Sequence, residues 1–282
     1  MTAPRITIGR WVGWLLFAFM QGSLANEPVA GAPDPAPTAP QPAQAVAPTA
    51  TAPAGSKRER ALFERLDAGT LGPDYLRLED PGGDSFLVRY VPGQHPPRAS
   101  AVLVVPGRDS LISADPFIDA LLSELPAAGW ATMVVQLPLD ARDRQAADDG
   151  EMIAAVQARL ATALARLLAD GIPAIVVVGL EEGAALLATT LATGFGQPAV
   201  QAFASRGLWH GELGDTRLPR LEILSTDDVG ATALAAAREQ AALRAGLPYR
   251  RRLYSGLGRD FAASAALARD LRGWITKLPT SH

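Results

Sequence analysis

Short apolar runs alternate with longer amphipathic stretches along most of this chain. Runs rich in β-branched residues predict seven buried strands, at Phe86–Val91, Ala101–Val105, Ala131–Leu137, Ala174–Val178, Val200–Ala204, Leu221–Ser225 and Arg251–Tyr254. Helical periodicity predicts five helices, at Pro116–Ala128, Glu151–Ala169, Gly183–Thr193, Ala231–Ala245 and Phe261–Lys277. Strands that alternate with helices pair in parallel through right-handed crossovers. The pattern therefore predicts a three-layer, doubly wound α/β fold with a mostly parallel sheet.

Glycine and proline positions refine this prediction. A glycine follows four of the predicted helices, where a left-handed cap is expected, at Gly129, Gly171, Gly194 and Gly246. The Pro/Gly-rich segment 92–97 lies between the first two predicted strands. A loop this short predicts that those two strands form an antiparallel hairpin at the start of the sheet.

The N-terminal residues 1–25 have the layout of a secretory signal. Arg5 and Arg10 precede an apolar stretch, and Ser23-Leu24-Ala25 provides a small-x-small cleavage site. The apolar stretch Trp11–Met20 is shorter than the roughly 20 residues that span a bilayer. Export to the periplasm or beyond the cell is therefore expected, with no transmembrane span in the mature chain. An uncleaved membrane anchor is the alternative.

The next segment, residues 26–56, consists mainly of alanine and proline. Such a sequence lacks the large apolar side chains that offset the entropy of ordering, so it predicts a disordered linker. Residues 57–282 suffice for one domain with a sizeable core. The sequence thus predicts three parts: signal, linker and folded domain.

Composition excludes several classes of site. The chain has no cysteine, which excludes disulfides and thiolate metal sites. No other metal-ligand pattern or nucleotide-binding loop occurs, so no metal and no cofactor are expected. The formal net charge of −3 becomes −5 without the predicted signal, which holds two arginines and no acidic residue. An acidic chain without clusters of basic residues argues against binding to nucleic acid or to anionic lipid.

One turn connects a predicted strand directly to an Ala/Leu-rich helix. Its sequence, Gly179-Leu180-Glu181-Glu182-Gly183, resembles the Gly-x-Ser-x-Gly nucleophile elbow of the α/β-hydrolase superfamily. Gly179 and Gly183 remove the collisions that side chains would cause in so sharp a turn. Glu181 stands where the family has serine. The turn follows the third alternating strand, as the resemblance requires, and the whole chain resembles a family of uncharacterised exported proteobacterial proteins in this superfamily.

The resemblance implies where the other catalytic positions lie. The acid of a Ser-His-Asp triad corresponds to Asp227 or Asp228, although either could instead cap the next helix. The histidine position corresponds to Arg259, which cannot act as a general base. The two N–H groups of an oxyanion hole would come from positions near Arg108 and at Glu182.

Two side chains in a short loop are candidates for binding. Trp209 could line an open groove, or it could pack against its own domain. His210 could lie near the implied site, but its position breaks the triad order, which favours an exposed loop histidine instead. Segment 205–219 is too short for a helical cap, so a fold without a large cap domain is expected.

The degenerate triad positions predict a loss of serine-hydrolase chemistry. A covalent mechanism from Glu181 would lack a histidine to activate water, so we expect Glu181 to form an ion pair with Arg259 instead. Independent, solvated charges are the alternative. The expected role is a non-catalytic binding or structural component of the cell envelope, whose partner is a small molecule or an envelope protein. The alternative is an active periplasmic esterase, thioesterase or peptidase that uses His210 with a serine such as Ser110, Ser205 or Ser255.

Overall fold

Eight strands form one mixed sheet in the computed structural model, which describes residues 57–94, 98–108, 110–139, 149–207, 217–255 and 261–278. The strands are β1 Tyr75–Glu79, β2 Ser85–Val91, β3 Ser100–Val105, β4 Ala131–Val135, β5 Ala174–Leu180, β6 Val200–Arg206, β7 Arg220–Ser225 and β8 Tyr249–Tyr254. Their order in the sheet is β1-β2-β4-β3-β5-β6-β7-β8. Only β2 runs antiparallel to its neighbours, β1 and β4. The predicted fold class is confirmed.

Six helices in the described residues cover the sheet. They are α1 Lys57–Asp67, α2 Pro116–Ala127, α3 Asp149–Ala169, α4 Glu182–Ala192, α5 Val229–Arg244 and α6 Phe261–Ile275. Apolar residues of α1, α2 and α6 pack on one face of the sheet, and those of α3 and α4 pack on the other. The architecture therefore has three layers, and the described residues belong to one unit that spans Ala50–His282.

The central strand β3 illustrates why this sequence forms a buried parallel sheet. Val102 and Val104 belong to the core cluster on one face, while Leu103 and Val105 belong to the cluster on the other. This alternation follows from the two-residue period of a strand. All four residues are fully buried, as expected for a strand with helices on both faces.

The predicted hairpin at the start of the sheet is wrong. Strand β2 pairs with β1 and β4, so β4 separates it from β3. The hairpin instead joins β1 and β2, and the amide N–H groups of Asp80 and Gly83 close its turn. Neither β1 nor α1 was predicted from the sequence. The strand β1 is a partly exposed edge strand, in which an arginine and a glutamate interrupt the apolar pattern. The left-handed glycine caps are confirmed, with φ between 66° and 89° at all four positions.

One helix of the described residues is long and apolar enough to cross a membrane by length and composition alone, at Met152–Ala169 in α3. Its residues Val156, Leu160 and Leu167 are fully buried in the core cluster that covers the sheet. We therefore interpret α3 as a core helix. The predicted signal and linker, residues 1–56, lie outside the described residues.

Candidate functional site at the elbow

Glu181 occupies a strained turn between β5 and α4. Its backbone angles are φ 51° and ψ −124°, and it is the only residue other than glycine with positive φ in the described part of the chain. Its N–H donates to the carbonyl oxygen of Arg206 at 2.7 Å, and its carbonyl oxygen accepts from Ala184 at 3.0 Å. Such a conformation costs an L-residue about 1–3 kcal/mol, so its surroundings must hold it in place.

Three glycines allow the backbone to close around Glu181. A Cβ on Gly179 would lie 2.3 Å from the Cα of Ala184, and a Cβ on Gly183 would lie 2.0 Å from the carbonyl oxygen of Pro106. Both distances are far below van der Waals contact, as the sequence analysis expected for these two positions. A third glycine, Gly207, was missed: its φ is 98°, and a Cβ there would approach Glu181 Cγ to 3.0 Å.

The Glu181 carboxylate lies beside a cation that the sequence analysis did not identify. Its Oε1 is 4.0 Å from Nη2 of Arg206, and its side chain is 54% exposed. Arg206 has a closer partner, because the same Nη2 lies 2.6 Å from Oδ2 of Asp115. The guanidinium also lies 4.7 Å from the ring centre of Phe117. Arg206 could have been suspected, since it ends the strand next to the elbow strand.

Two carboxylates and a hydroxyl converge on Gly107, in the loop after β3. From the position of a Cβ on Gly107, Glu181 Oε2 is 3.1 Å away, Ser110 Oγ is 3.2 Å away and Glu182 Oε2 is 3.3 Å away. The structure therefore brings together two predicted regions, the loop that contains Arg108 and the turn that contains Glu182. The Nε atom of Arg108 is buried and has no hydrogen-bond partner within the described residues.

The two candidate acids lie after β7, at the carboxyl edge of the sheet. Asp228 is the N-cap of α5, and its Oδ1 accepts from the N–H of Ala231 at 2.8 Å. The capping alternative is therefore correct for Asp228. The Asp227 carboxylate accepts from the Ser225 hydroxyl at 3.3 Å.

The structure does not describe all of the predicted site residues. Arg259, Trp209 and His210 lie outside the described residues, so the Glu181–Arg259 ion pair stays a prediction. Of the serines considered for an active enzyme, Ser110 lies at the elbow, whereas Ser205 is only 2% exposed within β6. A nucleophile must be accessible to substrate, which argues against Ser205. No cluster of residues able to hold a metal ion occurs within the described ranges.

Comparisons with known proteins identify the fold. No family model and no curated protein matches the chain. The esterase domain of a Rhodothermus marinus protein has a TM-score of 0.53 and 15% identity, covering 71% of this chain and 96% of its own. A dienelactone hydrolase from Anabaena variabilis has a TM-score of 0.55 and 19% identity, covering 73% and 100%. The chain has the α/β-hydrolase fold.

Identities this low establish the fold but no activity. A third structure, a serine hydrolase without lid from Xanthomonas campestris, has a TM-score of 0.54 and 14% identity and covers 75% of this chain and 99% of its own. As in that hydrolase, the described residues of this α/β-hydrolase-fold protein contain no large cap domain. In this chain Glu181 lies between the end of β5 and the start of α4.

Proposed function

We propose that this protein is an exported α/β-hydrolase-fold protein that has lost hydrolytic activity and acts as a binding or structural component of the cell envelope. The observation that carries the proposal is the carboxylate at Glu181, in the strained turn where a hydrolase presents its serine hydroxyl. A carboxylate there needs a separate base to activate water before any ester intermediate can be released. The position that the family resemblance implies for this base is Arg259, and its guanidinium cannot accept a proton.

Electrostatics at the elbow also oppose acyl transfer. An oxyanion hole stabilises negative charge with preorganised N–H donors. Here the carboxylates of Glu181 and Glu182 both face Gly107, beside the loop that would supply one donor. Like charges repel, and exposure to water weakens the effect for Glu181, whose side chain is 54% exposed. An oxyanion that formed beside these carboxylates would therefore be destabilised.

The proposed location depends on the N-terminal sequence. A basic start, a short apolar core and a small-residue cleavage site within residues 1–25 support export. The Ala/Pro-rich residues 26–56 would then connect a cleaved N-terminus to the folded domain, as a spacer within the envelope.

One observation favours a second candidate, an active ester hydrolase. The hydroxyl of Ser110 lies beside the same Gly107 that Glu181 Oε2 faces. A nearby carboxylate could accept a proton from this hydroxyl, which would make Ser110 a nucleophile without the family's usual triad.

A fluorophosphonate probe separates the two candidates, because it labels only activated serines. For the non-catalytic protein we expect no labelling of the purified full chain above a heat-denatured sample. Labelling of the native protein that disappears in Ser110→Ala but persists in Ser123→Ala would overturn the proposal and support the second candidate. Ser123 is the matched control, since it is an exposed serine of α2.

A further inference from the structure

A groove separates the edge strand β8 from the C-terminal end of α6, far from the elbow. Pro219 and Pro248 line the groove just before β7 and β8 begin, whereas Glu181 follows the end of β5. Since β5 to β8 are parallel, the groove and the elbow lie at opposite ends of the sheet. The groove encloses about 280 Å³, and Pro248, Trp274 and Leu278 give it an apolar wall.

Because side chains alternate along β8, two of its arginine side chains face this groove. Tyr249 and Arg251 face α5: the Tyr249 hydroxyl donates to a carbonyl of α5, and Arg251 pairs with Glu239 at 3.1 Å. Arg250 and Arg252 therefore point to the opposite face, toward α6, because successive side chains of a strand alternate. Both arginines are exposed. Arg250 lines the groove itself, and both arginines line its narrower continuation, which Asp270 also lines.

Two cations at the groove, Arg250 and Lys277, form no ion pair within the described residues, whereas Arg238 pairs with Glu222 at 2.7 Å on the other face. The one acid that lines the narrower part, Asp270, accepts a hydrogen bond from Tyr254. The groove is thus a positive region on a chain whose net charge is −3.

Two structural roles explain part of this arrangement. Arginines on an edge strand hinder pairing with a second copy of the strand. A lysine just beyond α6 is favoured by the negative end of the helix dipole. Neither role requires an apolar wall beside the cations, yet Arg250, Trp274 and Lys277 all line both parts of the groove.

We propose that this groove binds a small amphiphilic anion, with its phosphate group held by Arg250 and Lys277 and its apolar body packed against Trp274. Charge complementarity selects an anion, and the apolar wall selects one that carries a hydrocarbon chain or ring. The local cations override the unfavourable net charge, since screening limits electrostatic interactions to about 8 Å at physiological salt. The site is independent of the chemistry at the elbow.

Calorimetric titration of the full chain with monomeric octyl phosphate tests the site. The double variant Arg250→Gln/Lys277→Gln should raise the Kd at least about tenfold, because it removes two charge-assisted contacts. Arg65→Gln, which neutralises an exposed arginine of α1, should leave the Kd unchanged. Both altered groove residues are exposed, so the melting temperature of the double variant serves as a check that it folds like the wild type.

Two reference ligands separate the contributions of charge and apolar area. Inorganic phosphate should bind at least about tenfold more weakly than octyl phosphate, and octyl glucoside, with the same tail and no charge, should not bind measurably. Unchanged affinity in the double variant, or equal binding of octyl glucoside and octyl phosphate, would overturn the proposal.

Vesicle flotation identifies the source of the anion. Flotation with phosphatidylglycerol vesicles that is lost in the double variant assigns the phosphate to a lipid head group. Binding of octyl phosphate without such flotation assigns it to a free amphiphile. Both results support the groove as the binding site.

Discussion

Glu181 and Arg206 are joined through both backbone and side chain. The Glu181 N–H donates to the Arg206 carbonyl oxygen at 2.7 Å, and Glu181 Oε1 lies 4.0 Å from Arg206 Nη2. The side-chain contact is the weaker one, because Arg206 pairs with Asp115 at 2.6 Å and the Glu181 side chain is 54% exposed. The strained turn is therefore held by its backbone and its neighbouring glycines, and the carboxylate contributes little.

This relationship predicts that Glu181→Gly stabilises the protein. Glycine adopts positive φ without strain, which recovers about 1–3 kcal/mol, and costs about 0.5–1 kcal/mol in entropy. We expect a net gain of about 1 kcal/mol in the free energy of unfolding, measured by urea denaturation. Glu181→Ala keeps the strain and should change stability by less than about 0.5 kcal/mol. If the alanine variant is as stable as the glycine variant, strain at this position is not significant.

A second prediction concerns the contact between the elbow and the loop after β3. Gly183→Ala should destabilise the protein by about 3 kcal/mol, because its Cβ would lie 2.0 Å from the Pro106 carbonyl oxygen and both residues are buried. Gly230→Ala is a matched control, since Gly230 is also the second residue of a helix but its Cβ would meet nothing closer than 3.6 Å. It should leave stability unchanged or raise it by up to about 1 kcal/mol. Equal effects of both substitutions would contradict the close approach.

A third prediction concerns the helix that directly follows the predicted linker. Glu59 of α1 and Arg159 of α3 form an ion pair at 2.7 Å, and each side chain is only 6% exposed. Glu59→Ala leaves the Arg159 charge buried without this partner, so we expect a loss of about 3 kcal/mol in denaturant unfolding. The exposed pair Arg77–Asp67 provides the control, and Asp67→Ala should cost less than about 1 kcal/mol. Similar losses would show that α1 is not anchored by this pair.

The sequence was sufficient for most of the fold but for less of the site. Buried parallel strands such as β5 are continuous apolar runs, so their positions and the helices between them could be predicted. The pairing of β2 could not, since the loop after Val91 suggests a hairpin while the register with β4 depends on long-range contacts.

At the site, the local sequence predicted the sharp turn at Glu181, because Gly179 and Gly183 serve a local turn. Arg206 and Gly207 were missed, since they approach Glu181 only through the pairing of β5 with β6. Asp228 illustrates a residue with two local interpretations, and the structure assigns it to the helix cap.

Hydrolysis of short p-nitrophenyl esters by the purified full chain tests the central claim most directly. Because a carboxylate stands at Glu181, where we propose that a hydrolase would present its serine hydroxyl, we predict a rate no higher than that of the heat-denatured protein for both wild type and Glu181→Ala. Turnover by the wild type that is abolished in Glu181→Ala, with both proteins folded by circular dichroism, would contradict the account and make Glu181 a catalytic residue.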